Sequence, residues 1–404
     1  MNDKENLTVD ETSTRWISFG LLSAGFLSSS LIITGLPLII LNIESDFAIS
    51  HSLAGVLITI LMTASGLGRF FEGVLVDRKG KIPSILTSGL LFVVGSVGFG
   101  FSVNYAMACI FVFFLGLANG FYNPLGFSLV SHIFSDHRGK IIGLYDSVFP
   151  ISALVAYGVK SLGIYLGSWR YAILLIGSMV LVSFSSLLAY TTRKIPEYLE
   201  PFAQRKLTVY EYAKRVKYEV THSSVFLHIT ILIVPASAAI NGLMQFLPPY
   251  LVQSRGLTSS LAGLLYMLFM GISILGKQGS GWLIDEYSTR SSLIITTFIG
   301  VAGLVLLLVA PTYGLVLLGI VILSPARGGI FTLMHAHLLG ELPDSSRDLL
   351  YGFYMVIMMI AGSTGPLIVG LLVDRFGFFY GFLFLTTIFA LVIPLTYLLI
   401  DKDE

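Results

Sequence analysis

Leu67-Gly68-Arg69-Phe70-Phe71-Glu72-Gly73-Val74-Leu75-Val76-Asp77-Arg78-Lys79-Gly80-Lys81 closes a long apolar segment and opens a short basic turn. The segment that holds it returns later in the chain. Ser260 stands 208 positions after Ser52, and Ser52–Asp77 and Ser260–Asp285 both begin Ser-Leu-Ala-Gly. Their ends read Leu-Gly-Arg-x-x-x-Gly-x-Leu-x-Asp and Leu-Gly-Lys-x-x-x-Gly-x-Leu-x-Asp. Agreement of that length at one offset implies a duplicated chain, each half built round a helix with one cation inside an apolar run.

Hydrophobic residues make up 55% of the chain and charged residues 12%, against roughly a quarter charged in soluble domains. The apolar runs are long enough to cross a bilayer, which takes about 20 residues each. An all-α membrane protein with twelve spans is expected, in two pseudo-symmetric six-helix bundles. The expected layout is a tail at 1–15, a first bundle at 16–192, a connecting loop at 193–224, a second bundle at 225–400 and a tail at 401–404. Within the loop, Tyr210–Tyr218 has the pattern of a surface helix. Placing both termini in the cytoplasm puts seventeen of the twenty-four Lys and Arg residues on that side, four outside and three within spans. That bias sets the orientation. Six spans per half is an even number, so the halves insert the same way round, related by an axis along the membrane normal. The polar, mixed-charge first residues do not resemble a cleavable signal, which points to a multi-pass protein of the plasma or inner membrane. Cys109, the one cysteine, cannot form an intrachain disulfide.

At Gly73-x-Leu75-x-Asp77-Arg78-x-Gly80-Lys81, between the second and third spans, the chain resembles the major facilitator superfamily. Gly281-x-Leu283-x-Asp285 falls where that family carries its second copy. The resemblance implies two six-helix bundles round a central pathway and transport by alternating access, with Asp77 helping to hold the inner ends together. It departs from the proton-coupled drug exporters: Val112 stands near the place of their span-four arginine, and Phe149-Pro150 replaces glycine-rich sequence in span five.

Three cations lie within spans. Arg69 is eight residues from the end of its helix, about 12 Å deep. It shares a face with Gly66, Gly73 and Asp77, small residues that suit close helix contact. Lys277 is its counterpart in the second half. Arg327 lies near the middle of span ten, in Ser324-Pro325-Ala326-Arg327-Gly328-Gly329. Buried cations need counter-charges, and an anionic cargo is one source. Each also has a structural alternative: an internal pair with Glu72 for Arg69, snorkelling for Lys277, and a carbonyl link between helices for Arg327. Asn119, Tyr122 and Asn123 on span four, and Asn241 and Gln245 on span seven, fit either a substrate pocket or helix–helix hydrogen bonding. Glu72 and Asp146 are candidates for coupling or ion pairing, with a proton or sodium ion as the coupling partner. His335 and His337 fit a proton role or a packed one. A cytoplasmic gate is expected at Gly73, Asp77, Arg78, Gly80, Lys81, Arg138, Gly281 and Asp285, with Asp136, Asp344 and Arg347 as further inner charges.

No nucleotide fingerprint, metal-ligand motif or nucleophile elbow is present. The expectation is therefore not an enzyme but a monomeric secondary transporter of a small organic or inorganic anion. It needs no cofactor, and its partners are cargo and lipid rather than nucleic acid. A proton-driven exporter of hydrophobic or cationic compounds, and a transporter-like sensor acting through the 193–224 loop, are the competing readings.

Overall fold

A computed structural model describes residues 9–134, 138–194, 209–342 and 347–400. Among them every regular element is helical. The first half comprises α1 (Val9–Phe47), α2 (His51–Lys79), α3 (Lys81–Gly100), α4 (Tyr105–Ile133), α5 (Arg138–Asp146), α6 (Val148–Tyr165) and α7 (Trp169–Lys194). After α8 (Val209–His222) come α9 (Ser224–Gln253), α10 (Ser259–Glu286), α11 (Thr289–Val309), α12 (Tyr313–Glu341), α13 (Arg347–Phe376), α14 (Phe378–Ala390) and α15 (Val392–Leu399). Twelve stretches are long and apolar enough to span a membrane, with α5–α6 and α14–α15 each forming one span. This is a multi-pass membrane protein. The expected surface helix is present as α8, but residues 195–208 of the connecting loop lie outside the described residues.

The duplication read at Ser52 and Ser260 continues into side-chain chemistry. Ser50 caps α2 and Thr258 caps α10, each accepting from the backbone N–H three residues on. Asn104 and Thr312 do the same for α4 and α12. Both pairs are 208 apart, so each half starts its second and fourth spans with the same local signal. Glycines then let those spans cross closely. A Cβ on Gly68 would run into the Leu117 carbonyl, and one on Gly120 into that of Ser65. In the second half Gly276 meets the Pro325 carbonyl and Gly328 that of Ser273, again at the same offset. Small residues do in lipid what apolar burial does in water: they let backbones approach until dispersion and polar contacts hold them.

The two halves do not meet evenly along their length. Call the side of the chain termini the terminal face and the other the far face. Towards the far face, a Cβ on Gly55 would strike the Pro366 carbonyl, one on Gly370 the His51 carbonyl, and one on Gly263 the Tyr157 ring. Thr59 donates to the Ser363 carbonyl at 2.8 Å and Thr63 to the Ser363 hydroxyl at 3.1 Å. Towards the terminal face, Cβ atoms on Gly73, Gly143, Gly281, Gly340 and Gly352 would meet nothing within 4 Å. Close backbone contacts between the bundles gather towards the far face. α1 lies at the centre, burying 83% of its apolar window where α10 buries 33%.

Candidate functional site

Arg327 sits at mid-helix on α12 and is only 6% exposed. Its Nη1 donates to Ser273 Oγ on α10 at 2.8 Å, and Nη2 approaches Met244 Sδ on α9 at 3.5 Å. The guanidinium carbon lies 5.5 Å from the centre of the Phe149 ring, which comes from α6 in the other half. Nε is buried with no hydrogen-bond partner among the described residues, as are the nearby Tyr266 hydroxyl and Gln245 Oε1. No carboxylate makes a salt bridge with Arg327 among the described residues.

Lys277 has an acid that its own half did not reveal. Its Nζ forms an ion pair with Asp146 Oδ2 and lies 3.5 Å from the Asp146 carbonyl oxygen. The reason is local. Pro150 lacks the N–H that would bond four residues back to the Asp146 carbonyl, so the fifth span bends between α5 and α6. The bend leaves both oxygen types of Asp146 available to a cation from the opposite bundle. Snorkelling is thus corrected for Lys277: it reaches across the bundle interface, not towards the membrane surface.

Arg69, the counterpart of Lys277, keeps Glu72 within electrostatic reach on its own helix, as the internal-pair alternative requires. Its Nε is buried without a hydrogen-bond partner, and Tyr351 of α13 and Glu72 lie within electrostatic reach. Glu72 is buried, and also within reach of Lys81. Lys81, expected in the cytoplasmic gate, is only 2% exposed at the start of α3. His335 Nε2 is buried without a partner, the ring lying edge-on to Tyr351 and Tyr354. Arg69, Asp146, Lys277, Arg327, His335 and Tyr351 therefore form one electrostatic cluster built from both halves.

The neutral candidates divide. Asn119 accepts from Ser65 at 2.9 Å and donates to the Ser29 carbonyl at 3.2 Å, and Tyr122 donates to the Leu22 carbonyl at 2.9 Å. Both are fully buried in the packing of the first half, where they link helices. Gln245 faces the first half, its Nε2 3.5 Å from the Ile33 carbonyl. Asn241 donates to Ser237 on its own helix. Asn123 is buried with no hydrogen-bond partner among the described residues.

Of the gate residues, the side chains of Asp77, Arg138 and Asp285 lie outside the described residues, as do those of Asp136, Asp344 and Arg347. Arg78 is exposed. Gly80 ends α2 and starts α3 at φ 80°, ψ −177°, a conformation open to glycine and strained for other residues. That accounts for the glycine of the loop signature. Gly73 and Gly281 have open space beside them rather than the close helix contact expected of Gly73.

Sequence reasoning missed Ser273, Met244 and Tyr266, although the 208-residue offset that pairs Ser65 with Ser273 also pairs Asn119 with Arg327 and would have found the first. It also missed a polar set at the far face, where His51, Glu44, Gln253 and Asp374 meet.

Comparison with known proteins bears on this geometry. The family profile described as Major Facilitator Superfamily matches residues 19–324 and 229–404. A Bacillus subtilis transporter named for niacin and nicotinamide is 27% identical over 312 residues, 76% of each chain. The niacin transporter of Acinetobacter baylyi is 29% identical over 140 residues, 34% of this chain and 32% of its own. The arabinose-proton symporter of Escherichia coli K12 is 27% identical over 129 residues, 32% of this chain and 27% of its own. Among solved structures, a D-xylose-proton symporter superposes with TM-score 0.79 at 14% identity, over 97% of this chain and 99% of its own. A bacterial homologue of the lysosomal transporter Spinster, facing inward and unoccupied, gives 0.76 at 14% identity, over 97% of both chains. At that identity the structural matches establish the fold.

Proposed function

We propose that this chain, which belongs to the major facilitator superfamily and is a secondary transporter and not an enzyme, carries a small organic anion, with an aromatic monocarboxylate of nicotinate size as the first candidate. The observation that carries this reading is Arg327: a guanidinium buried between the bundles with no acid partner among the described residues. A desolvated cation of this kind is favoured when an anion joins it, and arginine presents a planar fork suited to a carboxylate. Phe149 beside it supplies a ring face for a planar cargo. Niacin, in the names of the relatives from B. subtilis and A. baylyi, is a monocarboxylate of this kind, while nicotinamide, also in the first name, is neutral.

Lys277 and Asp146 give the cycle its moving part. They join the bundles below Arg327, and a cargo carboxylate competes with Asp146 for the same ammonium. Cargo binding then loosens one cross-bundle strut while bridging the halves through its own contacts, and rocking of the bundles exchanges access between faces. A membrane orientation with both termini in the cytoplasm follows from the Lys and Arg distribution. In that orientation the closely packed far face is external. Export driven by Asp146 as a free proton carrier is disfavoured, because Lys277 holds that carboxylate.

The test is uptake of radiolabelled nicotinate into proteoliposomes, competed by benzoate, phosphate, nicotinamide, xylose and arabinose. Saturable uptake competed by carboxylates and abolished by Arg327→Gln, in protein that still elutes as a folded species, is expected. Competition by the sugars alone, or full activity of the variant, overturns the anion assignment and leaves the family membership standing.

A further inference from the structure

At the far face three polar side chains, Glu44, Gln253 and Asp374, gather round His51 across the seam between the bundles. His51 is the first residue of α2, and its backbone N–H and that of Ser52 donate to Asp374 Oδ1 and Oδ2 on α13 at 3.0 and 2.8 Å. A carboxylate from one bundle thus caps a helix of the other, where exposed N–H groups and the helix dipole favour a negative charge. The ring continues the bridge. Nδ1 lies 2.8 Å from Glu44 Oε1 on α1, and Nε2 lies 2.9 Å from Gln253 Oε1 on α9. Glu44 belongs to the first half and Gln253 to the second, so the imidazole spans the seam. Phe246 of α9 and Phe378 of α14 stand edge-on to it at 6.4 and 5.3 Å. The charged groups facing the ring are Glu44 and Asp374, both acids.

Both ring nitrogens therefore face oxygen acceptors. The imidazolium has two N–H groups and serves both; a neutral ring gives its one N–H to Glu44 while Gln253 turns its amide to donate to the other nitrogen, so the charge is what distinguishes the two states. The positive charge of the imidazolium answers the two carboxylates that converge on the site. Glu44 is 8% exposed, so much of that attraction escapes screening by solvent. Removing the proton leaves the two acids without their common counter-charge. The joint between α1, α2 and α9 weakens at the place where the close contacts between the bundles gather.

We propose that His51, with Glu44 as its counter-ion and Gln253 as its partner across the seam, is a proton-binding site loaded from the far-face solution, and that its occupation closes that face. The site is independent of Arg327 and of the chemical class of the cargo. It gives a secondary transporter a place where proton binding and a change of access are one event.

The closure is read directly by thiol accessibility. Ala262 is 1% exposed and lines the crevice between α1, α9 and α10 with Pro37, Leu38 and Pro248. In a Cys109→Ser background, full-length Ala262→Cys in lipid nanodiscs is labelled with a membrane-impermeant maleimide from pH 5.5 to 8.5. Each rate is divided by that of Val103→Cys, which is 80% exposed on the same face, so that the pH dependence of the thiol itself cancels. The normalised rate is expected to rise about tenfold with pH, matching the loss of charge assistance from one hydrogen bond. His51→Gln, which keeps polar contacts but does not titrate here, flattens the profile, and Glu44→Gln moves it to more acidic pH. Arg327→Gln leaves it unchanged, which separates this site from the cargo site. A parent profile without pH dependence, or one that survives His51→Gln, overturns the proposal. Should His51→Gln fail to fold, a Glu44→Gln profile superimposable on the parent overturns it as well.

Discussion

Ser65 with Asn119, and Ser273 with Arg327, are the same pair of positions taken 208 residues apart. Both serines lie on the second span of a half and both partners on the fourth, beside glycines that bring the same backbones together. In the first half the partner is neutral, fully buried, and bonded on both its oxygen and its nitrogen. In the second it is a cation with one nitrogen unpartnered. Duplication supplied one scaffold, and one substitution in the fourth span separates a structural crossing from a site. A neutral amide completes its hydrogen bonds within the protein, whereas a guanidinium at the same place needs a negative charge its own half does not supply.

The sharpest break in this comparison is an exchange of the two partners. Asn119→Arg puts a charge where the hydrogen-bond partners among the described residues are Ser65 and the Ser29 carbonyl, with no acid among them. A loss on the order of 3–5 kcal/mol is expected, the scale of an uncompensated buried charge, read as a lower unfolding midpoint in detergent. Arg327→Asn recreates the first-half pair, and its unfolding midpoint should stay at or above that of the parent while nicotinate uptake disappears. If Asn119→Arg proved as stable as the parent, the first-half crossing would be as tolerant of charge as the second.

The second pair of counterparts, Arg69 and Lys277, sharpens the same point. Lys277→Gln strands Asp146, and nicotinate uptake should fall about a hundredfold, equivalent to about 2.7 kcal/mol. Adding Asp146→Asn removes the stranded charge and should restore thermal stability without restoring uptake. A double variant that regained transport would reduce the pair to a structural strut.

How much of this was legible in the chain follows from which contacts are local. The twelve spans, the duplication and the depth of the three cations come from hydropathy and from one repeated stretch, both properties of neighbouring residues. The role of Lys277 was hidden because its acid lies 131 positions away, exposed by a proline-induced bend in another helix. Asn119 and Asn123 look alike in sequence, one turn apart on one span. Only the neighbouring helices decide that one completes its hydrogen bonds and the other finds no partner among the described residues. The latch at His51 was invisible for the same reason: four polar residues near span ends have the composition of any solvated loop until the fold brings them together.

A smaller effect tests whether the scaffold really is common to both halves. Gly120→Ala and Gly328→Ala each push a methyl group into the backbone carbonyl of the matching serine. Overpacking of this kind costs about 1–3 kcal/mol, and the two losses should be alike. Unfolding midpoints of the two variants, measured side by side, decide it. A large inequality would mean that the halves share sequence but not packing.

The smallest expected effect comes from the serines themselves, and it depends on which way each hydroxyl points. Ser65 gives its proton to Asn119 Oδ1, so Ser65→Ala removes one buried hydrogen bond, worth about 1 kcal/mol of stability, and leaves uptake unchanged. Ser273 works in the opposite sense. Its oxygen accepts from Arg327 Nη1 while its proton goes to the Met270 carbonyl at 2.6 Å. Ser273→Ala therefore frees a guanidinium N–H at the place where the cargo carboxylate is proposed to bind. The expected change is a shift of about threefold in the apparent KM for nicotinate, with a stability loss no greater than that of Ser65→Ala. Equal, purely structural losses in both variants would mean that Arg327 is held by its serine as Asn119 is, and that the asymmetry between the halves stops short of function.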